Sequence, residues 1–499
     1  MEAKKNHKTL QKKPQNTKSL LLPPLIFAAQ NKSEEAWITS LKKKKLIRKI
    51  GPRLYTSVSK VDEKNLVRGQ WAQIINHLYP EALLSHRSAL EFKPSNEDIV
   101  VLTSTTNRQV KYPGLTLKFV RGPGRRSDEN KFLNFYTSSE ARAYLENFMV
   151  SKNTHWKTLP TAELEQKLET LLQIKGEEKL TELRDKAREI SNAFDWPKPF
   201  SKLDQMIGAL LGTRDAQSLE SPLAKARAQQ KPFDIERVNR FDILFSDLKA
   251  NPLKEVKESF LDHDHFRNKA FFESYFSNYI EGTTFEIEEA EEIIFDKKIP
   301  ADRPKDAHDI VGTFNIVSDP NQMRQLPHSP QELEDLIKTR HGLLMENRPE
   351  SFPGKYKMKP NRAGDTHFVH PQNIQGTLEQ GFQRYQNLPE GLPRAIFIMF
   401  LIAEIHPFTD GNGRIARIMM NAELYAAKQS TIIIPNVYRD DYLLALRALT
   451  RRDRPDPYIR MLARAHRFSS IQFTNYKKVL SQIENMNWFR ESSEAKLVE

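Results

Sequence analysis

The sequence predicts a mainly α chain, in which a basic α/β region and a helical connector precede an all-α core interrupted by a β-hairpin. Three observations carry this expectation. Between about 160 and 260 the chain is rich in Leu, Glu, Lys and Ala, with Leu164, Leu168, Leu171, Leu172, Leu180 and Leu183 at helical spacing. From about 265 to 470 helical patterns dominate, except at 354–369, which alternates around Pro360 and Gly364 as a hairpin or flap would. Extended runs of apolar and β-branched residues fall near the start, at 99–103 and 115–120, with a turn at Pro113 and Gly114 between them.

Taken in order, residues 1–19 are polar, basic and without periodicity, the pattern of a disordered tail. Residues 34–50 read as a helix with Ser33 as N-cap, ended by Gly51 and Pro52. A short strand at 53–57 follows, then a helix at 71–79 and another at 138–150. The expected divisions are a tail at 1–19, a basic region at 20–150, a connector at 151–264, a core at 265–470 and a polar helical tail at 471–499.

Charge divides the chain in the same way. The 499 residues hold 77 Lys and Arg against 64 Asp and Glu, a net +13. Residues 1–150 hold 27 against 13, and the remainder 50 against 51. The whole excess therefore lies in the first third, as expected of a surface for an anionic partner, most often nucleic acid. The chain has no Cys, which excludes disulfides, zinc–thiolate sites and cysteine nucleophiles. No run reaches the ~20 apolar residues of a membrane span. Residues 20–29 are broken by Pro23 and Pro24, and the basic start lacks a cleavage pattern. A cytoplasmic protein without membrane attachment is the expectation.

The chemistry concentrates between His406 and Arg417, which read HPFTDGNGRIAR. An apolar helix leads in at 395–405 and an amphipathic one leads out at about 414–428. Gly411 and Gly413 flank Asn412, so backbone amides can turn toward a ligand without a Cβ in the way. The helix that starts there adds unpaired N–H groups and the positive end of a dipole, an anion site. Arg414 and Arg417 lie on one helix face and suit a polyphosphate. Asp410 is an oxygen ligand for an accompanying Mg²⁺. His406 is a base near neutral pH. There is no GxxxxGK[ST] and no GxGxxG, so nucleotide binding falls to this loop.

This stretch resembles the Fic family (filamentation induced by cyclic AMP), matching HxFx[DE]GNGRxxR at every specified position. The resemblance extends over roughly 265–470. It implies an all-α core with a hairpin flap, and transfer of AMP from ATP to a Ser, Thr or Tyr hydroxyl of a target protein. It makes His406 the general base and Asp410 the Mg²⁺ ligand. Gly411, Asn412 and Gly413 become the anion-binding turn, Arg414 and Arg417 the phosphate contacts, and Phe408 the core anchor. Gly413 favours nucleotidyl transfer over phosphorylation, with UTP open beside ATP. The flap at 354–369 would hold the target by strand addition. Two departures there, Lys357 where Arg is common and His370-Pro371 where Pro-Pro is common, bear on that docking. Tyr442 falls where the family often has an aromatic near the adenine.

Upstream, Ser277 and Glu281 stand at i,i+4 on one helix face, and Gly282 suits the position after that helix. Beside the motif above they match the family's inhibitory helix, [ST]xxxE[GN]. The resemblance implies that Glu281 pairs with Arg417 and displaces the γ-phosphate, and that in some relatives the same Glu serves removal of AMP.

Residues 20–150 resemble AbiEi-type antitoxin and regulator proteins, on the patterns LKKKKLIRKIG at 41–51, RLY at 53–55, LSHRSAL at 84–90 and YTSSEAR at 136–142. The resemblance implies a winged helix with a small α/β partner. Lys42, Lys43, Lys44, Lys45, Arg48, Lys49 and Arg53 would then contact DNA phosphates, which fix position without reading sequence. Two rival functions are a DNA-binding regulator using the core as a nucleotide sensor, and a toxin–antitoxin fusion. The intact His406 favours the enzyme, since a sensor has no use for the base.

Overall fold

The computed structural model describes residues 22–29, 31–58, 62–149, 155–259 and 262–498. The tail expected at 1–19 lies outside the described residues. The chain forms two compact units, 1–221 and 222–499.

The first unit opens with β1 (Leu25–Phe27), α1 (Lys32–Lys43), β2 (Arg48–Gly51) and β3 (Leu54–Thr56), the strands forming a three-stranded antiparallel sheet in the order β1-β3-β2. The helix expected to reach residue 50 stops at Lys43. Its lysine-rich end suits the negative end of the helix dipole, but Lys45 turns left-handed (φ 54°) and the next residues pair with β3 as a strand. The N-cap is Asn31, not Ser33, because the Asn31 side chain accepts the Glu34 N–H at 2.9 Å. Then come α2 (Glu63–Gly69), α3 (Trp71–Leu78), β4 (Leu83–Leu84), α4 (His86–Glu91), β5 (Ile99–Ser104), β6 (Arg108–Tyr112), β7 (Leu115–Arg121), β8 (Asn130–Phe132), β9 (Phe135–Thr137) and α5 (Glu140–Asn147). Strands β4–β9 form a mixed six-stranded sheet ordered β6-β7-β5-β4-β9-β8, with β5 parallel to β7. Ile74, Leu84, Val100, Leu102 and Leu117 bury its inner face. Two helices complete the unit, α6 (Thr161–Phe194) and α7 (Pro197–Leu210). Gly176 breaks α6 at φ 81°, a conformation open to glycine. The stretch 151–264 is thus shared: α6 and α7 pack with α5, and its later part enters the second unit.

The second unit is helical. Its elements are α8 (Pro222–Ala228), α9 (Ile235–Ala250), α10 (His263–Ile280), α11 (Ile287–Phe295), α12 (Pro304–Val317), α13 (Pro320–Arg324) and α14 (Pro330–Leu344). They continue with β10 (Arg362–Ala363), β11 (Thr366–His367), α15 (Ile374–Tyr385), α16 (Leu392–Ile405), α17 (Asn412–Ala426), α18 (Arg439–Arg452), α19 (Pro455–Phe468) and α20 (Tyr476–Asn485). The sequence of α16, LPRAIFIMFLIAEI, is apolar all round, which marks a helix buried on every side. It forms the centre, against α9, α15, α17 and α19. The flap expected at 354–369 is mostly irregular chain, with a two-residue-strand hairpin at its tip, Arg362 opposite His367 and Ala363 opposite Thr366. The final segment, read as a polar tail, buries Phe473, Val479, Ile483 and Trp488 in the same core. Among the described residues no helix is long and apolar enough to cross a membrane.

Candidate active site

The end of α16 delivers the site. His406 follows directly, in the left-handed region (φ 54°), and its Nδ1 lies 3.3 Å from the Ala403 carbonyl. A carbonyl can only accept, so Nδ1 carries the proton and Nε2 is left as the free acceptor. The ring stacks on Phe368 at 3.8 Å and 6°. Burial, helped by the nearby Lys357 cation, pushes its pKa down to about 4, so the imidazole is neutral at physiological pH.

The loop after it is pinned from inside. Phe408 is fully buried and stacked on His341 at 3.8 Å and 4°. His341 accepts the Gly354 N–H through Nδ1 at 2.9 Å, so its Nε2 donates to the Asp410 carbonyl at 3.1 Å. Asn412 accepts the Phe408 N–H at 2.8 Å and donates to the Phe408 carbonyl at 2.9 Å. Gly411 takes φ 76° at the cap of α17, and Asp410 Oδ1 accepts its N–H at 2.7 Å.

From the far side, α10 ends where the sequence places the inhibitory motif. Glu281 is its C-cap and Gly282 follows at φ 94°. Arg417 donates to Ser277 Oγ at 2.9 Å, to the Ser277 carbonyl at 2.8 Å and to Glu281 Oε1 at 2.6 Å. Burial opposes ionisation of Glu281, but Arg417 outweighs it and holds the carboxyl below the usual range. A Cβ on Gly413 would overlap Glu281 Oε1, so the carboxylate lies over the first turn of α17.

Together these groups line a cavity of about 340 Å³, with His406, Gly413, Arg417, Tyr442, Glu281 and Phe368 in its wall. Arg414 is not in that wall. It is buried and paired with Asp309 at 2.6 Å, and Asp309 is also held by Arg348 at 2.6 Å. Tyr442 is buried beside Arg417. Asp410 keeps a carboxylate about half exposed (52%). No group of three or more His, Asp or Glu among the described residues could hold a metal. One exposed carboxylate fits Mg²⁺, which binds through one or two carboxylates plus substrate phosphates.

The residues expected to meet DNA lie in the first unit and separate into two kinds. Lys43, Lys44, Lys45 and Lys49 are exposed, as is Lys42, whose ammonium sits 4.3 Å from the Tyr55 ring centre. Arg48 is paired with Glu63, and Arg53 donates to the Leu78 carbonyl at 3.1 Å.

Sequence reasoning missed His341, Asp309 and the inward role of Lys357, whose partners are remote in the chain. The sequence expectation for Lys357 concerns target docking. It is 3% exposed and its Nζ donates to the His406 carbonyl at 2.7 Å.

The Fic/DOC family model matches residues 330–424. A Fido domain-containing protein of Dictyostelium discoideum is 30% identical over 103 residues, which cover 20% of this chain and 72% of that protein. The chain belongs to the Fic/DOC family. The protein adenylyltransferase Fic of Nematostella vectensis is 24% identical to this Fic protein over 246 residues, 48% of this chain and 56% of the relative. The chain thus spans about half the length of that relative. Fic-1 from C. elegans, a solved structure, is 18% identical, covers 65% of this chain and 93% of its own, and has a TM-score of 0.37.

Proposed function

We propose that this Fic protein transfers AMP from ATP to a hydroxyl of a target protein, and that Glu281 restrains it. The observation that carries the reading is the convergence in one cavity of a neutral histidine with a free Nε2, an arginine, a glycine at a helix start, and a carboxylate bonded to that arginine. The target hydroxyl loses its proton to His406 Nε2 as its oxygen attacks the α-phosphorus. The bond from the α-phosphorus to the bridging oxygen breaks, and pyrophosphate leaves. Arg417 and the first turn of α17 offset the charge on the phosphates, and positioning supplies most of the acceleration. Asp410 would hold the Mg²⁺ that supplies further charge neutralisation. The flap would present the target hydroxyl to His406, whose ring it already stacks through Phe368.

Glu281 supports an autoinhibited state because it occupies the anion's place on Arg417. Incubation with ATP carrying its label on the α-phosphate tests the transfer. Protein-bound label is expected in Glu281→Gly and not in His406→Ala, and γ-labelled ATP should give none. Equal labelling from the γ-position would refute nucleotidyl transfer.

A second reading concerns the first unit. The exposed Lys42–Lys45 run supports binding of an anionic polymer such as DNA through phosphate contacts, which carry no sequence information.

A further inference from the structure

We propose that Lys357 is a positioning residue for His406, fixing the left-handed turn that carries the base. It rests on the base role given to His406 above.

The argument starts from the backbone. A helix leaves its last carbonyls without intrahelical partners, and His406 adopts a left-handed conformation that is strained for a residue with a Cβ. Something outside the helix must hold both. The carbonyls of three consecutive residues at this end all bond to Lys357. Its Nζ donates to the His406 carbonyl at 2.7 Å and approaches the Ile405 carbonyl at 3.5 Å, and its backbone N–H donates to the Pro407 carbonyl at 2.9 Å. Four residues on, Asn361 donates to the Phe408 carbonyl at 3.1 Å and accepts from Lys357 Nζ at 2.6 Å. Two residues of the flap therefore hold four successive carbonyls of the catalytic loop. The same flap lays Phe368 on the imidazole. A cation at a helix C-terminus is also favoured by the dipole.

The charges around the base give the electrostatic half of the role. Lys357 works against protonation of His406, while Glu281 and Asp410 favour it. Burial, with Arg237 facing it, lowers the Lys357 pKa to about 7, so its ammonium is fully charged in the acid range where His406 titrates; His370 faces it as well. Arg237 and Arg240 from α9 close on Glu404, two residues before the base, at 2.9 and 3.0 Å. Lys357 is thus the cation whose ammonium contacts the turn itself.

The test uses the full chain in the Glu281→Gly background, comparing Lys357→Met, Lys357→Arg and Asn361→Ala. Lys357→Met should lower kcat roughly ten- to hundredfold with KM for ATP little changed, as expected for a misplaced base. It should also move the acid-side inflection to higher pH, since an opposing positive charge is gone. Lys357→Arg should restore both, because a guanidinium can donate to all three acceptors and keeps the charge. Asn361→Ala should shift kcat in the same direction by less. Titration of the His406 resonance by NMR, with histidine-selective labelling and assignment from His406→Ala, reads the pKa without any turnover. A parent variant that transfers no AMP would refute the adenylyltransferase reading and leave the NMR arm to decide this one. The proposal is overturned if Lys357→Met leaves kcat and the His406 titration unmoved, or if it lowers kcat with no pKa change and no rescue by Arg. Should Lys357→Met not fold, Asn361→Ala at the parent's kcat and inflection would overturn it equally.

Discussion

On the proposed reading, replacing Glu281 with Gly removes the carboxylate that occupies Arg417 in place of the nucleotide. The contact is a charge-assisted hydrogen bond, Arg417 to Glu281 Oε1 at 2.6 Å, with Arg417 buried and the Glu281 side chain 35% exposed. Such bonds contribute ~1.5–3 kcal/mol, and partial exposure places this one near ~1.5–2 kcal/mol. On the proposed reading ATP breaks it to reach Arg417, so its loss should raise the labelling rate at sub-saturating ATP by roughly 10- to 30-fold, at 1.4 kcal/mol per decade. Arg417 keeps its two bonds to Ser277, and position 281 has an ordinary φ of −83°, so the fold should persist. The assay is the initial rate of self-labelling with α-labelled ATP, wild type against Glu281→Gly, at equal thermal midpoints. A variant no faster than wild type would refute the inhibitory contact.

Three other outcomes follow from the same geometry. Gly413→Ala should destabilise the wild type by about 1–3 kcal/mol through overlap with Glu281 Oε1, and by clearly less in the Glu281→Gly background; equal costs in a double-mutant cycle of urea midpoints would contradict the overlap. His341 is buried, and burial pushes its pKa down to about 4 from the ordinary 6.5. The unfolded chain therefore binds the extra proton between those values, and stability should fall as pH drops from 6.5 to about 4, then level off. His341→Gln should flatten that part of the urea-midpoint profile. In the first unit, Lys43, Lys44 and Lys45 replaced together by Ala should weaken retention on duplex DNA and reduce the salt slope by about 3, while Arg53→Ala should mainly lower the thermal midpoint, since Arg53 holds the Leu78 carbonyl. Unchanged retention by the lysine variant would count against the polymer reading.

What the sequence determined by itself was local. His406, Asp410, the Gly411–Asn412–Gly413 turn and Arg417 lie within a dozen residues, and there spacing sets geometry: a helix end, a tight turn and a helix start follow from the backbone preferences of the residues themselves. Ser277, Glu281 and Gly282 were legible by spacing only as one face and one end of a single helix, and the family resemblance supplied their inhibitory reading. Elements failed where local preference was divided. Residues 45–50 could continue a helix or pair as a strand, and the pairing with β3 decided it. The pairing of Glu281 with Arg417, 136 residues away, is implied by the family resemblance, and the fold has it at 2.6 Å; only the tertiary structure paired Arg414 with Asp309 and set Lys357 against the carbonyls that follow α16. Buried polar groups must find partners, and which partner arrives depends on how distant helices pack, a matter that no spacing along the chain encodes.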